Sequence, residues 1–328
     1  MRLPHLLFVL ACLGRARAFA PPARARAPLR ARAAAADVAA LPTADDVRAA
    51  PDDALDGLSA AIWAAIREEA AAAVAPGGAS AAVLEPYLAR SVAAHASLRH
   101  AVAGALADAL ADDAAGLPRA ALFLALGRAI GEPSAARASA ADLLAAVEAD
   151  AAAPSPLTIL LHFKGFLALQ AHRAAHALWT AAEDGGDAGA RQLALLLQGR
   201  ASARFDVDIH PGARVGAGVF VDHASGVVVG ETAHVGPGCV LLHGVTLGAT
   251  GKRERGTDRR HPKVGARVTI GTGATLLGPI VVGDGAVIGT RAVVTKDVAP
   301  GATVIDTTPM KNRVLLPKTP KAVVEPDA

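Results

Sequence analysis

The sequence predicts an α+β protein in which an all-helical N-terminal domain is followed by a parallel β-helix. An apolar residue returns every six positions between residues 215 and 294. This period fits neither a helix nor an alternating strand and is typical of hexapeptide β-helix repeats. The chain before the repeats is rich in alanine and carries apolar residues at helical spacing. Aromatic residues make up only 3% of the chain, so the core must be built from small side chains.

Residues 1–36 have the composition of a targeting leader. An apolar run of eleven residues, 3–13, is too short to span a bilayer and has the form of a signal-peptide core. The stretch to residue 36 contains no acidic residue, and the leader holds seven arginines. This pattern resembles the bipartite leader of plastid proteins in algae with complex plastids. In those leaders a phenylalanine commonly follows the cleavage point, as Phe19 would here. We expect a plastid location; a mitochondrial presequence or secretion is the alternative.

The charge gives no support to a nucleic-acid-binding protein, and the cysteine content excludes an intramolecular disulfide. Without the leader the chain has 26 basic and 30 acidic residues, a net charge of −4. That balance gives no support to nucleic-acid binding. Cys12 lies in the leader and leaves Cys239 alone, so no intramolecular disulfide can form in the mature chain. A single free thiol suits a reducing compartment.

The helical domain is expected over residues 37–203. Leu58, Ile62 and Ile66 show the spacing of one helix face, and Gly/Pro pairs divide the region into several helices. Residues 157–182 are predicted as one helix, and a last helix runs from 191 to about 202. His172 and His176 lie four residues apart, but no carboxylate or third histidine is spaced to join them. We therefore expect two histidines on a helix surface.

The β-helix is expected over residues 204–307, with a C-terminal tail over 308–328. Each repeat would contribute one short strand and one turn, with its apolar residue inside and a small residue at the corner. The inward positions are Val215, Val221, Val229, Val235, Leu241, Leu247, Val264, Ile270, Leu276, Val282, Ile288 and Val294.

The six-residue period fails twice, and both failures carry ionisable residues. Eight residues separate Val221 from Val229, and seventeen separate Leu247 from Val264. The first interval holds the pair 222–223, Asp-His, and the second holds the pair 260–261, Arg-His. These interruptions of the repeat mark the candidate active site.

Four linked motifs resemble those of the serine O-acetyltransferase family. They are DIHP at 208–211, DHASGVVVGET at 222–232, VTLGATGK at 245–252 and RHPK at 260–263. The helical segments at 62–70, 95–110 and 164–173 are similar to the N-terminal domain of that family, and the likeness spans roughly 58–307. The resemblance implies a left-handed β-helix that assembles as a homotrimer or as a hexamer made of two trimers.

The resemblance implies transfer of acetyl from acetyl-CoA to the hydroxyl of L-serine, which gives O-acetylserine for cysteine synthesis. An alcohol needs a base to become a nucleophile near neutral pH, and histidine is suited to this task. His223 is the expected base. Asp208 would orient it by resemblance to the family's His–Asp pair, and lies fifteen residues upstream, nearly one coil. His210 is expected to be structural.

Serine is a small zwitterion, so its site needs a cation for the carboxylate and an anion for the ammonium group. Arg260 and His261 would bind the carboxylate. Asp222 is the nearest anion for the ammonium. The resemblance places a further acidic residue near the end of the N-terminal domain, where Asp150 is the candidate and Glu148 its rival.

Acetyl-CoA is expected to lie along the coils with its pantetheine arm against small residues. By resemblance these positions are Ala249, Thr250, Thr272 and Thr290, and Lys252 is a candidate for the phosphates. The loop 252–259 is about three residues longer than is usual in the family. No metal is expected to take part.

Three other functions are consistent with parts of the sequence. A related hexapeptide acyltransferase could acetylate another hydroxyl acceptor. A metal-dependent lyase resembling γ-carbonic anhydrase would need His223, His234 and His243, whose spacing does not resemble that family's ligands. A regulatory subunit would hold O-acetylserine sulfhydrylase through a tail ending in Ile. This chain ends in Ala328, so no tight complex through the tail is expected.

Overall fold

The computed structural model describes residues 40–74, 80–150, 155–185, 187–251 and 260–306. The expected leader, the tail beyond 306 and Lys252 lie outside the described residues. Helices form the first half of the described chain and short strands the second, and both halves belong to one compact unit. None of the described helices is long and apolar enough to cross a membrane.

The helical half buries the apolar residues that the sequence places at helical spacing. The helices are α1 (Ala44–Ala49), α2 (Asp52–Ala73), α3 (Ala81–Leu88, extended by a π-helical turn, Ala89–Ala93), α4 (Leu98–Leu110), α5 (Arg119–Gly131), α6 (Pro133–Ala149), α7 (Pro156–His162), α8 (Lys164–Glu183) and α9 (Ala188–Phe205). Ile62 and Ile66 of α2 and Leu106 and Leu110 of α4 are fully buried. Side chains four residues apart share one helix face, and that face turns to the core.

The segment predicted as a single helix over 157–182 is two helices, and that prediction was wrong. Phe163 separates α7 from α8 and has an extended backbone, with φ −92° and ψ 99°. The break redirects the chain so that the first turn of α8 meets the solenoid. There Gly165 lies so close to the carbonyl oxygen of Val221 that no Cβ would fit.

The second half is a parallel β-solenoid of about four turns. Its strands are β1 (Val207–Ile209), β2 (Arg214–Val215), β3 (Phe220–Asp222), β4 (Val227–Val229), β5 (His234–Val235), β6 (Val240–Leu242), β7 (Thr246–Gly248), β8 (Lys263–Val264), β9 (Thr269–Ile270), β10 (Thr275–Leu277), β11 (Val281–Val282), β12 (Val287–Ile288), β13 (Val293–Val294) and β14 (Thr303–Val304). Every third strand pairs with the next in parallel register, as Val229 does with Leu247. The hexapeptide prediction is therefore confirmed.

The strands form a three-sided prism. Face I holds β1, β4, β7, β10 and β13, face II holds β2, β5, β8 and β11, and face III holds β3, β6, β9, β12 and β14. The inward apolar residues are buried, except that Val215 is half-buried. Because each coil rests on its neighbours, the fold is stabilised by stacking.

Two edges of the prism border face I and carry the predicted site residues. We call the turns that lead from face III to face I, at 223–226, 243–245, 271–274 and 289–292, the His223 edge. We call the turns that lead from face I to face II, at 210–213, 230–233, 249–251 with 260–262, and 278–280, the Arg260 edge.

A buried ion pair joins the helices to the first coil. Arg173 of α8 donates to both carboxylate oxygens of Asp142 in α6, each at 3.0 Å. The same guanidinium donates to the carbonyl oxygens of Val215 and Gly216, and Asp142 accepts from the backbone N–H of Val219 at 3.0 Å. Asp142 is 1% exposed. This network fixes where the solenoid begins relative to α8, and so positions the His223 edge.

Candidate active site

His223 lies in the one long interval of its edge: eight residues separate the inward residues Val221 and Val229, against six at the other turns of that edge. The two extra residues adopt left-handed backbone conformations, with φ 55° at His223 and 63° at Ala224. That conformation costs a residue with a side chain about 1–2 kcal/mol. Two short-range bonds hold it: Ala224 N–H donates to Asp222 O at 2.6 Å, and Ser225 N–H donates to His223 O at 2.8 Å. The imidazole is 77% exposed as a result.

Helix α8 supports this turn with its first two residues. Lys164 donates from Nζ to Ser225 Oγ. Gly165 packs against the carbonyl of Val221 and the side chain of Ala224. A lysine in the first helical turn opposes the helix macrodipole, and the bond to Ser225 offsets that cost. Sequence reasoning missed Lys164, although it lies in a segment quoted for the family resemblance.

The two predicted carboxylates differ in their relation to His223. Asp222 Oδ1 lies 3.7 Å from His223 Nε2. Asp208, in the middle of β1, accepts instead from Gln198 Nε2 at 2.6 Å. Within the described part of one chain, no contact joins Asp208 to His223. Asp222 is thus the carboxylate nearest the imidazole, and the role of Asp208 stays a prediction.

A row of polar side chains continues along the His223 edge. Gly244 N–H donates to Ser225 O, Gly273 N–H to His243 O and Arg291 N–H to Thr272 O, at 2.7, 2.9 and 2.8 Å. Equivalent turn positions, one per coil, are therefore held by Ser225, His243, Thr272 and Thr290, which we call the polar ladder. Coils stack about 4.8 Å apart, so the ladder is about 14 Å long.

His223 projects over the start of the polar ladder. Its ring centroid lies 5.8 Å from that of His243, with the planes at 71°. The predicted acetyl-CoA positions Thr272 and Thr290 lie one and two coils beyond His243. The base therefore shares its edge with two of the four predicted acetyl-CoA positions.

The predicted carboxylate-binding residues lie on the other edge of face I. Arg260 forms an ion pair with Glu231. His261 accepts from or donates to the Thr232 hydroxyl through Nδ1 at 2.8 Å, and its ring fills the space that Gly230 leaves by having no Cβ. Burial lowers the pKa of His261, and the nearby Arg260 guanidinium lowers it further, while Glu231 opposes them. The neutral imidazole is thus favoured beside a permanently charged arginine.

Face I separates the two edges within one chain. Gly226 and Gly230 mark its borders in the second coil and are four residues apart, or about 13 Å by the usual rise of a strand. The carboxylate and hydroxyl of one serine are about 5 Å apart by ordinary bond lengths. Arg260 and His223 of one chain are therefore carried on opposite borders of face I.

The remaining predicted site residues lie on the Arg260 edge or at the end of α6. Ala249 and Thr250 are exposed on the Arg260 edge, and the Thr250 methyl group lies close to Gly278 in the next coil. Asp150 follows the last residue of α6. Its rival Glu148 accepts from the backbone N–H of Ala44 at 2.7 Å, and so caps the start of α1.

The expectation of two surface histidines on α8 was wrong for His172. His172 is 4% exposed and its pKa lies well below the ordinary value, first because of burial. It stacks on His176, which contacts the Pro211 carbonyl through Nδ1 at 2.7 Å. The cause is that this face of α8 packs on the first coil. His210, expected to be structural, lies edge-on to Trp179 with ring centroids 5.0 Å apart.

The histidines among the described residues do not cluster into a metal site. His234, in β5, lies on face II beside Arg214 and Lys263, while His223 and His243 lie on the His223 edge. No cluster of three or more potential metal ligands occurs among residues that the structure describes.

The two halves of the chain match two protein-family models. Residues 62–171 match the family described as serine acetyltransferase, N-terminal, and residues 261–296 match the bacterial transferase hexapeptide family. A rice relative, probable serine acetyltransferase 3, is 47% identical over 240 residues, which cover 73% of this chain and 75% of the relative. The chain belongs to the serine acetyltransferase family. Membership accounts for both the helical half and the interrupted repeats.

Solved structures of serine acetyltransferases show the same fold. The soybean enzyme complexed with serine has a TM-score of 0.67 and 43% identity, and covers 75% of this chain and 95% of its own. The Brucella abortus enzyme in complex with coenzyme A has a TM-score of 0.67 and 37% identity, over 74% of this chain and 91% of its own. The Arabidopsis mitochondrial serine acetyltransferase 3 is 44% identical over 74% of this chain, and the match spans 59% of that relative.

Proposed function

We propose that the protein is a serine O-acetyltransferase that transfers acetyl from acetyl-CoA to the hydroxyl of L-serine. The observation that carries the proposal is the exposed imidazole of His223, held in a strained turn at the start of the polar ladder. Relatives captured with serine and with coenzyme A support the choice of both substrates. The product, O-acetylserine, would serve cysteine synthesis, as the family resemblance implies.

His223 acts as the general base in this proposal. It takes the proton of the serine hydroxyl as Oγ attacks the acetyl carbon, and returns a proton to the departing CoA thiolate. Asp222, whose Oδ1 lies 3.7 Å from Nε2, is placed to interact with the charge that the ring carries between these two transfers. Asp208 is retained as a second candidate for orienting the ring. Direct transfer is favoured over an acyl-Ser225 intermediate, because no nucleophile elbow surrounds Ser225.

The site is completed by a second copy of the chain. Within one chain the base and the carboxylate-binding pair are carried on opposite borders of face I, whose width of about 13 Å exceeds the length of one serine. The acetyl-CoA positions are divided between the same two edges. A trimer that places the His223 edge of one chain against the Arg260 edge of the next would bring both halves together around each serine.

In the groove between these two edges, Arg260 and His261 bind the serine carboxylate. Asp222 binds the ammonium group, with Asp150 as a further contact. The pantetheine arm follows the polar ladder past Thr272 and Thr290, and faces Ala249 and Thr250 of the neighbouring chain. Glu231 holds Arg260 in place before the substrate binds. Lys252 is the candidate contact for the CoA phosphates.

The test is to mix the protein with acetyl-CoA and L-serine and to follow free CoA. We expect serine-dependent CoA release that falls by about 10²–10⁴-fold in His223→Ala. Release that is faster with homoserine or a sugar than with serine would favour an acyltransferase for another acceptor. Undiminished turnover by His223→Ala would remove His223 as the base.

We also propose an organellar location, in a plastid. The acid-free leader supports it, and relatives include chloroplastic and mitochondrial enzymes. Residues 1–36 fused to a fluorescent protein in an alga with a complex plastid should accumulate there. Accumulation in mitochondria or secretion would contradict the proposal.

A further inference from the structure

His243 is the ionisable side chain of the polar ladder, and it lies directly beside the proposed base, His223. It occupies the turn of the second coil, between the His223 turn and the acetyl-CoA positions. Its ring is edge-on to His223 at 5.8 Å. The proposed reaction assigns no role to His243 in binding or in proton transfer.

The environment of His243 distinguishes its two nitrogens. Nδ1 is buried and has no hydrogen-bond partner among the described residues. A proton on Nδ1 would bury an N–H group without an acceptor, which proteins avoid more strictly than a buried lone pair. The singly protonated ring therefore carries its proton on Nε2. The side chain as a whole is half-exposed, and Nε2 is the nitrogen that remains accessible.

We propose that His243 is a catalytic hydrogen-bond donor that stabilises the oxyanion formed from the thioester carbonyl. This inference rests on the proposed function, since it needs a thioester at the start of the polar ladder. There the acetyl group lies between the base at His223 and the pantetheine arm along Thr272 and Thr290. An Nε2–H group at the intervening coil can then donate to the thioester carbonyl oxygen.

The transfer begins with attack of the serine hydroxyl on the thioester carbonyl. Serine Oγ forms a bond to the acetyl carbon, and the carbonyl π pair moves to oxygen while His223 takes the hydroxyl proton. The oxyanion accepts a hydrogen bond from His243 Nε2–H, which keeps its proton throughout. When the carbonyl re-forms, the C–S bond breaks and the thiolate takes the proton from His223. Such a donor acts mainly on the transition state.

Glutamine and methionine provide a matched pair of substitutions. The two side chains have nearly the same length, but only glutamine carries an N–H donor. We expect His243→Met to lower kcat by about 10²-fold, with KM for both substrates and the affinity for free CoA unchanged. His243→Gln should retain kcat within about tenfold of wild type, because the donor is kept.

His234→Met is the control, because His234 is on face II and lies outside the proposed site. It should leave kcat unchanged. Melting temperatures of all variants show whether they are folded. If His243→Met does not fold, the pair His243→Asn and His243→Leu makes the same comparison.

The proposal is overturned if kcat of His243→Met stays within threefold of wild type. It is also overturned if the glutamine and methionine variants lose the same factor, since packing of the ring would then be what matters. His223→Ala separates these results from failure of the proposed function. A wild-type protein that shows no serine-dependent CoA release refutes both proposals, whereas a dead His223→Ala with an active His243→Met refutes only this one.

Discussion

Gly165, in the first turn of α8, lies against the backbone of Val221 in β3 so closely that a Cβ on the glycine would overlap the Val221 carbonyl oxygen. The next residues after Val221 are Asp222 and His223. The helical half therefore touches the solenoid one residue before Asp222 and two before the proposed base, His223. Lys164, beside Gly165, holds the other end of the same turn through Ser225.

Gly165→Ala should loosen this contact. The added methyl group must displace either α8 or β3, and overpacking of this kind costs about 1–3 kcal/mol in the free energy of unfolding. We expect that loss in urea unfolding, together with a lower kcat because the His223 turn shifts. The control is Gly57→Ala in α2, where a Cβ meets nothing within 4 Å. There alanine should stabilise the helix by about 0.5–1 kcal/mol. Equal effects of the two substitutions would contradict the close contact.

The repeat pattern was enough to predict the solenoid, its inward residues and the two interruptions. It could not predict that α8 is separated from α7 at Phe163, because apolar spacing continues through that residue. The requirement for the break comes from a contact with Val221, about sixty residues later in the chain. Helical spacing alone likewise gave no sign that His172 faces the first coil.

The site residues were predictable as types but not as an arrangement. A base beside Asp222 and an Arg-His pair at 260–261 follow from where the period fails. Their separation across face I does not, because a repeat assigns a residue to a coil without saying which edges of two chains will meet. Lys164 and Gln198 gave no signal beyond ordinary helical polarity. Their role appears only when α8 and α9 are packed against the turn and β1.

Arg173→Met should destabilise the whole chain. The substitution leaves Asp142 buried and without its cation, and breaking a buried pair in this way costs about 3–5 kcal/mol. It also removes the bonds to the first coil at Val215 and Gly216. We expect the loss in denaturant unfolding. Arg90→Met is the matched control, because the Arg90–Asp108 pair lies at the surface and should contribute nothing measurable. Similar losses in both variants would contradict the structural role of the buried pair.

Below neutral pH the buried His172 should make stability depend on pH. Burial, and then the charge of Arg173, lowers the pKa of His172 well below its ordinary value. The unfolded imidazole binds a proton near pH 6.5, but the folded one does so only at lower pH. The contribution of His172 to stability is thus complete above pH 6.5. It is lost as pH falls toward the pKa of the folded state, by up to about 1.4 kcal/mol per pH unit.

His172→Leu should therefore flatten the decline in unfolding free energy between pH 7 and pH 5.5. Urea unfolding at several pH values measures it. His162→Leu is the control, because His162 is exposed at the end of α7 and its replacement should leave the slope as in wild type. A His172→Leu protein with the wild-type slope would show that another group sets the pH dependence.

Two inactive variants should restore activity to one another when they assemble together. His223→Ala keeps an intact Arg260 edge, and Arg260→Ala keeps an intact His223 edge. If each site takes one edge from each of two chains, a mixed trimer contains some interfaces with both native residues. Random mixing gives about one such interface in four, so about a quarter of wild-type activity is expected.

The experiment is to unfold and refold the two variants together and to measure serine-dependent CoA release. The controls are each variant refolded alone and a mixture of the two that were refolded separately. A second test pair, His223→Ala with His261→Ala, should behave in the same way, because His261 lies on the same edge as Arg260. By contrast, His223→Ala refolded with Asp222→Ala should give no recovery, since the two residues are neighbours in one chain and no interface contains a native copy of both. If the first mixture stays as inactive as its parents although native mass spectrometry shows mixed oligomers, each site must be built within one chain.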